Sequence, residues 1–222
     1  MTVLRSLTDG VWDLRDVLSL PGGVKLPSRT TILRDANGGL VLYGPLKLTD
    51  EQASAIDALG EVRTIVGPSL FHHLYLRHAK ERWPEARLLG APGLDVKREN
   101  LSFDGMLRTG SLAPGVRAIV IGGMPKLNET VLVHAPSATM VCADLCFRIQ
   151  QAKGISKLAF KLMGDYGDTL KCSRLWKWSI KDRDAYRASL ESLLGADFDG
   201  VVMAHGDPVM NGAKAQLQAV MG

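Results

Sequence analysis

The spacing of apolar residues predicts the order of strands and helices. In some segments the apolar residues are nearly continuous, and in others they recur at helical spacing. Short, nearly continuous apolar runs are typical of buried strands, and three of them stand out, at residues 62–66, 116–121 and 201–204. Two hairpins are also predicted, one from residues 30–43 and one from residues 130–142. Asn37-Gly38 supplies the positive φ angles that the tight turn of the first hairpin needs.

Other segments have apolar residues at helical spacing. Thr49 and Gln52 predict a capping box ahead of a helix that ends at Gly60. Asp182 predicts the start of another helix, which Gly195 ends. Further helices are predicted over residues 72–83 and 145–163 and after residue 211, a first short strand over residues 11–14, and a loop over residues 20–27. This order predicts an α/β domain in which helices cover both faces of two sheets, or of one large sheet.

Composition restricts the class of protein without identifying its function. A chain of 222 residues is long enough for one domain with a sizeable core. Its net charge of +4 is spread out, which argues against nucleic-acid binding. The densest basic segment, residues 153–181, includes Trp176 and Trp178. We interpret it as a solvated helical face rather than a partner surface.

The sequence also predicts a location. No apolar run reaches the roughly 18 residues of a membrane span, and residues 1–16 lack the apolar core of a signal peptide. Three cysteines, an odd number, suggest reduced thiols and a cytoplasmic protein. Cys142 and Cys146 lack a second pair that would complete a zinc site, so we predict that they are buried free thiols.

The candidate chemistry lies at the ends of predicted strands. His72 and His73 follow the strand at residues 62–66, Asp144 follows the second hairpin, and His205 follows residues 201–204. Open α/β sheets bind ligands beyond the carboxyl ends of their strands, so we expect these ends to converge. Imidazole is the commonest metal ligand, and three N or O ligands with one open position make a catalytic zinc-type site. We predict a metal site formed by His72 or His73, Asp144 and His205.

Each of these residues also has a simpler interpretation. The adjacent histidines are equally suited to the start of a helix, and Asp144 is suited to cap the helix predicted after it. His134 lies mid-strand, and we interpret it as structural, paired with Ser137 or Thr139. We interpret Asp207 as a cap ahead of a proline rather than as a support for a ligand.

Several motifs, in the right order, resemble the metallo-β-lactamase superfamily. Ala143-Asp144-Leu145 is similar to the strand end whose aspartate binds or bridges metal, and His205-Gly206 to the last histidine ligand. His72-His73-Leu74 and the residues from His134 to Thr139 resemble an uncharacterised branch of that superfamily. The resemblance covers most of the chain. It implies an αββα sandwich formed as a single domain by residues 1–222.

The departures from the superfamily limit the metal site that the resemblance implies. The main signature, H-x-H-x-D-H, is absent, and its place is taken by residues 69–75, where only two histidines remain. No histidine lies near residues 122–125, where the superfamily has another ligand. The resemblance therefore implies at most one zinc or other divalent ion, or none. Asp144 would bind that ion or orient a water molecule.

Two functions follow from the resemblance. The first is a metal-dependent hydrolase of a small ester, thioester, lactone or phosphoester. The second is a non-catalytic protein that binds a ligand or partner in the remnant of the active-site cleft. In either case we expect a small-molecule substrate or ligand, and neither nucleic acid nor membrane as partner. The sequence does not predict the substrate, the oligomeric state or the role of residues 153–181.

Overall fold

The computed structural model describes residues 4–221, which fold around two β-sheets. The N-terminal sheet has seven strands that follow one another in chain order: Arg5–Thr8 (β1), Val11–Ser19 (β2), Lys25–Arg34 (β3), Leu40–Tyr43 (β4), Val62–Gly67 (β5), Arg87–Gly90 (β6) and Gly105–Met106 (β7). The C-terminal sheet has five strands: Gly110–Ala113 (β8), Val116–Val120 (β9), Thr130–His134 (β10), Thr139–Cys142 (β11) and Gly200–Met203 (β12).

In each sheet the pairing of neighbouring strands changes once, from antiparallel to parallel. Strands β1 to β4 are antiparallel, whereas β4 to β7 run parallel to one another. In the C-terminal sheet β8 to β11 are antiparallel, and β12 lies parallel to β11. Parallel neighbours present their carboxyl ends at the same edge of a sheet. The residues that follow β11 and β12 therefore emerge side by side.

The described residues form seven α-helices: Asp50–Asp57 (α1), Leu76–Arg82 (α2), Leu94–Lys97 (α3), Gly154–Met163 (α4), Arg174–Ser179 (α5), Arg183–Leu194 (α6) and Ala213–Met221 (α7). Helices α1 to α3 pack on the outer face of the N-terminal sheet, and α5 to α7 on that of the C-terminal sheet. Two short 3₁₀ turns, Pro21–Gly23 and Ala135–Ser137, complete the regular structure of the described residues. None of the helices within residues 4–221 is long and apolar enough to cross a membrane.

Three apolar cores show that the architecture is an αββα sandwich, as predicted. Val41 of the N-terminal sheet and Leu132 of the C-terminal sheet belong to the core between the sheets. Ile56 and Leu76 pack on the outer face of the N-terminal sheet, and Leu193 packs on the outer face of the other. Every residue of β4, β10, β11 and β12 is buried, because these strands are covered on both faces.

Most of the predicted elements are confirmed. Thr49 and Gln52 form the capping box of α1. The side chain of Asp182 accepts hydrogen bonds from two backbone N–H groups at the start of α6. The strands predicted at residues 62–66, 116–121 and 201–204 correspond to β5, β9 and β12.

Three predictions of secondary structure are wrong. Residues 145–153 are not helical: Phe147 and Ile149 are buried while Arg148 between them is partly exposed, which is the alternation of an extended chain. Backbone pairing of Phe147 with Lys171, and of Arg148 with Gly206, holds this segment. The predicted loop at residues 20–27 contains the start of β3, and the helix predicted over residues 72–83 begins only at residue 76.

Candidate metal centre

The ends of β5, β11 and β12 converge and bring together His72, Asp144 and His205. Each side chain offers one ligand atom, and these atoms all lie within 4.8 Å of one another. We call these three side chains the candidate metal centre. Two of them come from adjacent parallel strands of the C-terminal sheet. His72 comes from a loop of the N-terminal sheet, so the centre depends on the packing of the two sheets.

The separations within the centre fit a single ion. His72 Nε2 lies 3.3 Å from Asp144 Oδ2, and His205 Nε2 lies 3.3 Å from Asp144 Oδ1. The two Nε2 atoms are 3.2 Å apart. Ligands that bind zinc tetrahedrally at about 2.0–2.2 Å are separated by roughly 3.3–3.6 Å. The two imidazole nitrogens therefore stand close to the spacing of two ligands of one tetrahedral ion, and each lies at that spacing from one oxygen of Asp144. Three such ligands would leave a fourth position for water or substrate.

The ring of His205 is held in place by its surroundings. Its Nδ1 donates a hydrogen bond of 2.8 Å to the carbonyl oxygen of Pro27, which leaves Nε2 to face the other two side chains. Phe147 stacks on the ring at 5.7 Å, with the two planes 9° apart. Gly206 follows with φ +106, where an added Cβ would lie 2.1 Å from the carbonyl oxygen of Arg148. Only glycine fits at this approach.

A buried arginine fixes the backbone on both sides of His205. Arg29 donates to the carbonyl oxygens of Met203 and Gly206, the latter at 2.6 Å. Its Nε also donates to buried Asp13 at 2.6 Å. Since Arg29 and Asp13 belong to β3 and β2, this ion pair connects the N-terminal sheet to the strand end that carries His205.

The loop that carries His72 is fixed by a buried serine. Ser69 Oγ accepts hydrogen bonds of 3.2 Å from the backbone N–H groups of both Phe71 and His72. The backbone of Leu70 donates to the carbonyl oxygen of Leu127 at 2.9 Å, which ties the loop to the other half of the chain. These bonds set the direction in which His72 leaves the loop.

The backbone at Asp144 is held by Glu129, which is fully buried. The two oxygens of Glu129 accept hydrogen bonds of 2.8 Å from the N–H groups of Ala143 and Asp144. The residues that follow Asp144 form a bend and not a helix, so Asp144 does not cap a helix. Glu129 therefore fixes the strand end from which the Asp144 carboxylate faces the two histidines.

Charge is concentrated at this centre. Burial alone would raise the pKa of the Asp144 carboxyl, but the charge of His72 and hydrogen bonds from both imidazoles hold it well below its ordinary value. Burial would lower the pKa of His72, yet the Asp144 charge raises it. Burial and the Asp144 charge raise the pKa of Glu129 to about 8, against the two N–H groups that lower it. Asp144 is therefore a carboxylate at neutral pH.

The structure places the other predicted site residues elsewhere. His73 is not part of the group, because its Nδ1 lies 3.0 Å from Arg98. Burial and the charges of Lys97 and Arg98 lower the pKa of His73. His134 is buried, with Nδ1 2.6 Å from Ser137 Oγ and Nε2 2.8 Å from the carbonyl oxygen of Arg34, so its structural interpretation is confirmed.

The structure also tests the interpretations of Asp207 and of the cysteines. The carboxylate of Asp207 forms an ion pair of 3.1 Å with Arg15. Asp207 caps none of the helices within residues 4–221. Cys142 and Cys146 are free, buried thiols with their sulfur atoms 3.5 Å apart, and Cys172 is also free. These thiols are therefore not part of the candidate metal centre.

The candidate metal centre lines a cleft of about 720 Å³. Most of the other residues that line this cleft are apolar, and they come from the β2–β3 hairpin, the loop before α2, and helices α4 and α5. A second buried carboxyl, Asp165, also lines it. Neither oxygen of Asp165 has a hydrogen-bond partner among the described residues.

Sequence reasoning did not find the residues that hold the centre together. Glu129 lies directly before the apolar run of β10, and a carboxylate beside a buried strand needs hydrogen-bond partners. Its position is therefore a local signal of a supporting role. Ser69, three residues before His72 in the chain, fits the pattern of a serine that accepts from the N–H groups after it. Arg29 has no local signal of its role, since the two carbonyl oxygens that it binds beside His205 are about 175 residues away in the chain.

Comparison with solved structures shows that the chain has the metallo-β-lactamase fold. A metallo-β-lactamase from Pontibacter korlensis is similar over 100% of this chain and 99% of its own, with a TM-score of 0.66 and 16% identity. For FIM-1 from Pseudomonas aeruginosa in its mono-zinc form the values are 100%, 97%, 0.62 and 13%. For a metallo-β-lactamase from Erythrobacter litoralis they are 98%, 94%, 0.64 and 18%. The sequence matches no protein-family model and no curated protein.

Proposed function

We propose that the protein is a metal-dependent hydrolase with a single-ion site held by His72, Asp144 and His205. One observation carries this proposal: the two imidazole nitrogens are 3.2 Å apart and each lies 3.3 Å from one oxygen of Asp144, close to the spacing of ligands around one tetrahedral ion. A solved structure of the same fold, FIM-1, is described in a mono-zinc form, which supports a site of this kind.

A bound divalent ion such as zinc would supply Lewis acidity, which polarises a carbonyl or phosphoryl oxygen and acidifies water. The protein's own residues prepare that chemistry. The bond from His205 Nδ1 to Pro27 keeps the proton on Nδ1 and leaves Nε2 free to bind. The two oxygens of Asp144 face different imidazoles, so one can bind the ion while the other accepts a hydrogen bond from water.

The metal content of the purified protein tests the site. We expect about one equivalent of zinc per chain in the wild type and a loss of it in His205→Ala. His78→Ala is the matched control, since it removes a histidine whose Nε2 lies 3.0 Å from the carbonyl oxygen of Leu48, away from the centre. His73→Ala should also retain the ion. A wild type that holds no metal even after incubation with zinc would contradict the proposed site.

Hydrolysis is tested separately, on a panel of one ester, one thioester, one lactone and one phosphoester. We expect turnover of at least one compound, abolished by a chelator, restored by zinc, and absent in His205→Ala. Metal binding without turnover of any of the four would favour the non-catalytic alternative, in which the cleft binds a ligand.

We also propose that the protein works in the cytoplasm on a small molecule. The support is that the three thiols are unpaired in a chain of this size, as is usual in a reducing compartment. Thiol titration of protein taken directly from cells tests this location: three reactive thiols after unfolding are expected, whereas oxidised thiols would contradict it.

A further inference from the structure

The cleft has apolar walls on three sides of the candidate metal centre. The tip of the β2–β3 hairpin contributes one side, the loop before α2 a second, and helices α4 and α5 the third. The hairpin tip is tied to α4, because the backbone N–H of Lys25 donates to Ser156 Oγ at 2.9 Å. The apolar residues of these walls are Leu18, Leu20, Val24, Leu26, Phe71, Leu74, Ala159, Phe160, Met163, Leu175 and Trp178.

Several large apolar side chains of these walls are not covered by other parts of the protein. Phe71 is 57% exposed, Leu74 61% and Trp178 75%, although all three line the cleft. Large apolar side chains that stay exposed around one concave site mark a surface that binds an apolar ligand. A volume of about 720 Å³ lies within the range of clefts that enclose whole small molecules.

Beyond the three candidate ligands the described lining has only six polar side chains, half of which already have hydrogen-bond partners; the six are His73, Tyr75, Lys126, Asp165, Ser173 and Ser179. His73 faces Arg98, Ser173 Oγ accepts from the backbone of Leu175, and Ser179 Oγ donates to the carbonyl of Leu175. A sugar or a peptide would bring many hydroxyl or amide groups against these walls and leave them unpaired. A hydrocarbon chain brings none.

We propose that the substrate is an acyl ester or thioester whose hydrocarbon chain lies along the apolar walls, with its carbonyl at the candidate metal centre. This inference rests on the proposed hydrolase and names its substrate class. Hydrolysis breaks the acyl C–O or C–S bond, joins the oxygen of water to the acyl carbon, and passes a proton to the leaving alcohol or thiol. The hydrocarbon chain of the substrate provides the binding energy, and its carbonyl reacts at the candidate metal centre.

Binding of straight-chain alcohols tests the walls independently of any reaction. 1-Butanol, 1-hexanol, 1-octanol and 1-decanol are uncharged and cannot be hydrolysed, and their binding can be measured by calorimetry on metal-free protein and on His205→Ala. We expect affinity to rise about two- to fourfold per added methylene, the effect of its burial. Equal affinities for all four alcohols would overturn the inference, whether or not the protein is a hydrolase.

A pair of substitutions on α4 tests where the chain lies. Ala159 lines the cleft, so Ala159→Phe fills part of it and should reduce the preference for decanol over butanol at least tenfold. Leu158 is exposed on the same helix and does not line the cleft, so Leu158→Phe is the matched control and should keep the preference. If both variants keep the preference for decanol, the hydrocarbon chain does not lie along this wall and the inference fails.

The hydrolytic arm separates the two proposals. p-Nitrophenyl esters from acetate to decanoate, each below its micellar concentration, should show kcat/KM rising with chain length in zinc-loaded protein. Hydrolysis that is equally fast for all chains overturns the acyl-chain inference and leaves the hydrolase intact. No hydrolysis of any of these esters or of any compound in the four-compound panel, together with chain-length-dependent binding of the alcohols, refutes the hydrolase and shows that the cleft binds the hydrocarbon chain alone.

Discussion

Two aspartates, one fully and one largely buried, line the same cleft in opposite surroundings. Asp144 lies between His72 and His205, 3.3 Å from each. Asp165 is 1% exposed, and neither of its oxygens has a hydrogen-bond partner among residues 4–221. Burial acts on both carboxyls in the same direction, because it disfavours their charged form.

The partners decide the outcome. The imidazoles of His72 and His205 outweigh burial and hold the pKa of Asp144 well below its ordinary value. Burial raises the pKa of Asp165 from 3.8 to about 6; the Ser173 hydroxyl, outside hydrogen-bonding geometry, opposes this rise and the Asp144 charge adds to it. Burial of a carboxylate therefore does not by itself indicate a metal ligand. What distinguishes Asp144 is the set of groups built around it.

The largest expected difference between the two aspartates is in metal binding. Asp144→Asn removes the charge of a proposed ligand, so we expect zinc affinity to fall more than the roughly 10- to 100-fold typical of losing a supporting residue. Asp165→Asn makes the same chemical change in the same cleft and should leave zinc affinity within about twofold. Competition with a chromophoric chelator measures both. Equal losses in the two variants would remove the distinction drawn between them.

Glu129 tests whether Asp144 depends on support from outside the cleft. Glu129→Gln replaces one acceptor oxygen by an amide NH₂, which cannot accept the N–H of Ala143 or Asp144. We expect zinc affinity to fall about 10- to 100-fold, the usual effect of a residue that orients a ligand. The same chelator competition measures the loss, with Asp165→Asn as the control. Unchanged affinity would mean that the strand end keeps its position without Glu129.

Replacing Asp165 by asparagine should increase the free energy of unfolding, whereas most substitutions decrease it. The pKa of Asp165 is raised in the folded state, so the folded protein holds this proton more tightly than the unfolded chain does. The wild type therefore loses stability as pH rises from about 4 through about 6, and stays destabilised above that range. Asp165→Asn removes this loss and should raise the free energy of unfolding at pH 7.5 by about 3 kcal/mol.

Urea unfolding of both proteins at pH 4 and pH 7.5 measures this effect. The gain from Asp165→Asn should be small at pH 4, where the carboxyl is protonated in the folded state and only about half ionised in the unfolded chain, and largest at pH 7.5. Other groups that titrate over this range, Asp144 included, are the same in both proteins and cancel in the difference. A gain that is the same at both pH values would show that charge on Asp165 is not its cause.

The strand ends could be predicted from the sequence because their signals are local. The apolar runs of β5, β11 and β12 are visible in the sequence, and His72, Asp144 and His205 follow them within a few residues. Parallel strands present their carboxyl ends together, so the meeting of Asp144 and His205 follows from strand order. The likeness of the fold to solved metallo-β-lactamases then agrees with the αββα architecture that the resemblance implied.

The choice between His72 and His73 could not be predicted, because it depends on distant contacts. Consecutive residues leave a loop in different directions, and only the bonds of Ser69 and the position of Arg98 decide which ring reaches the centre. The extended segment after Asp144 was missed for the same reason. Its apolar residues fit a helix as well as a strand, and backbone pairing with Lys171 and Gly206 selects the extended form.

Two buried serines give the smallest and most selective test of the comparison. Ser69 Oγ accepts from the N–H groups of Phe71 and His72 at the candidate metal centre. Ser173 Oγ accepts from Leu175 at the start of α5, in the wall that contains Asp165. Replacing either by alanine should cost about 1 kcal/mol of stability, as is usual for the loss of such a hydroxyl.

Only Ser69→Ala should also weaken zinc binding, by about threefold to tenfold, because only it frees the loop that orients His72. Ser173→Ala should leave zinc affinity unchanged at the same cost in stability. Urea unfolding and chelator competition on the two variants separate the effects. If both variants lost zinc affinity in proportion to their lost stability, the centre would depend on the global stability of the protein and not on the bonds built around His72.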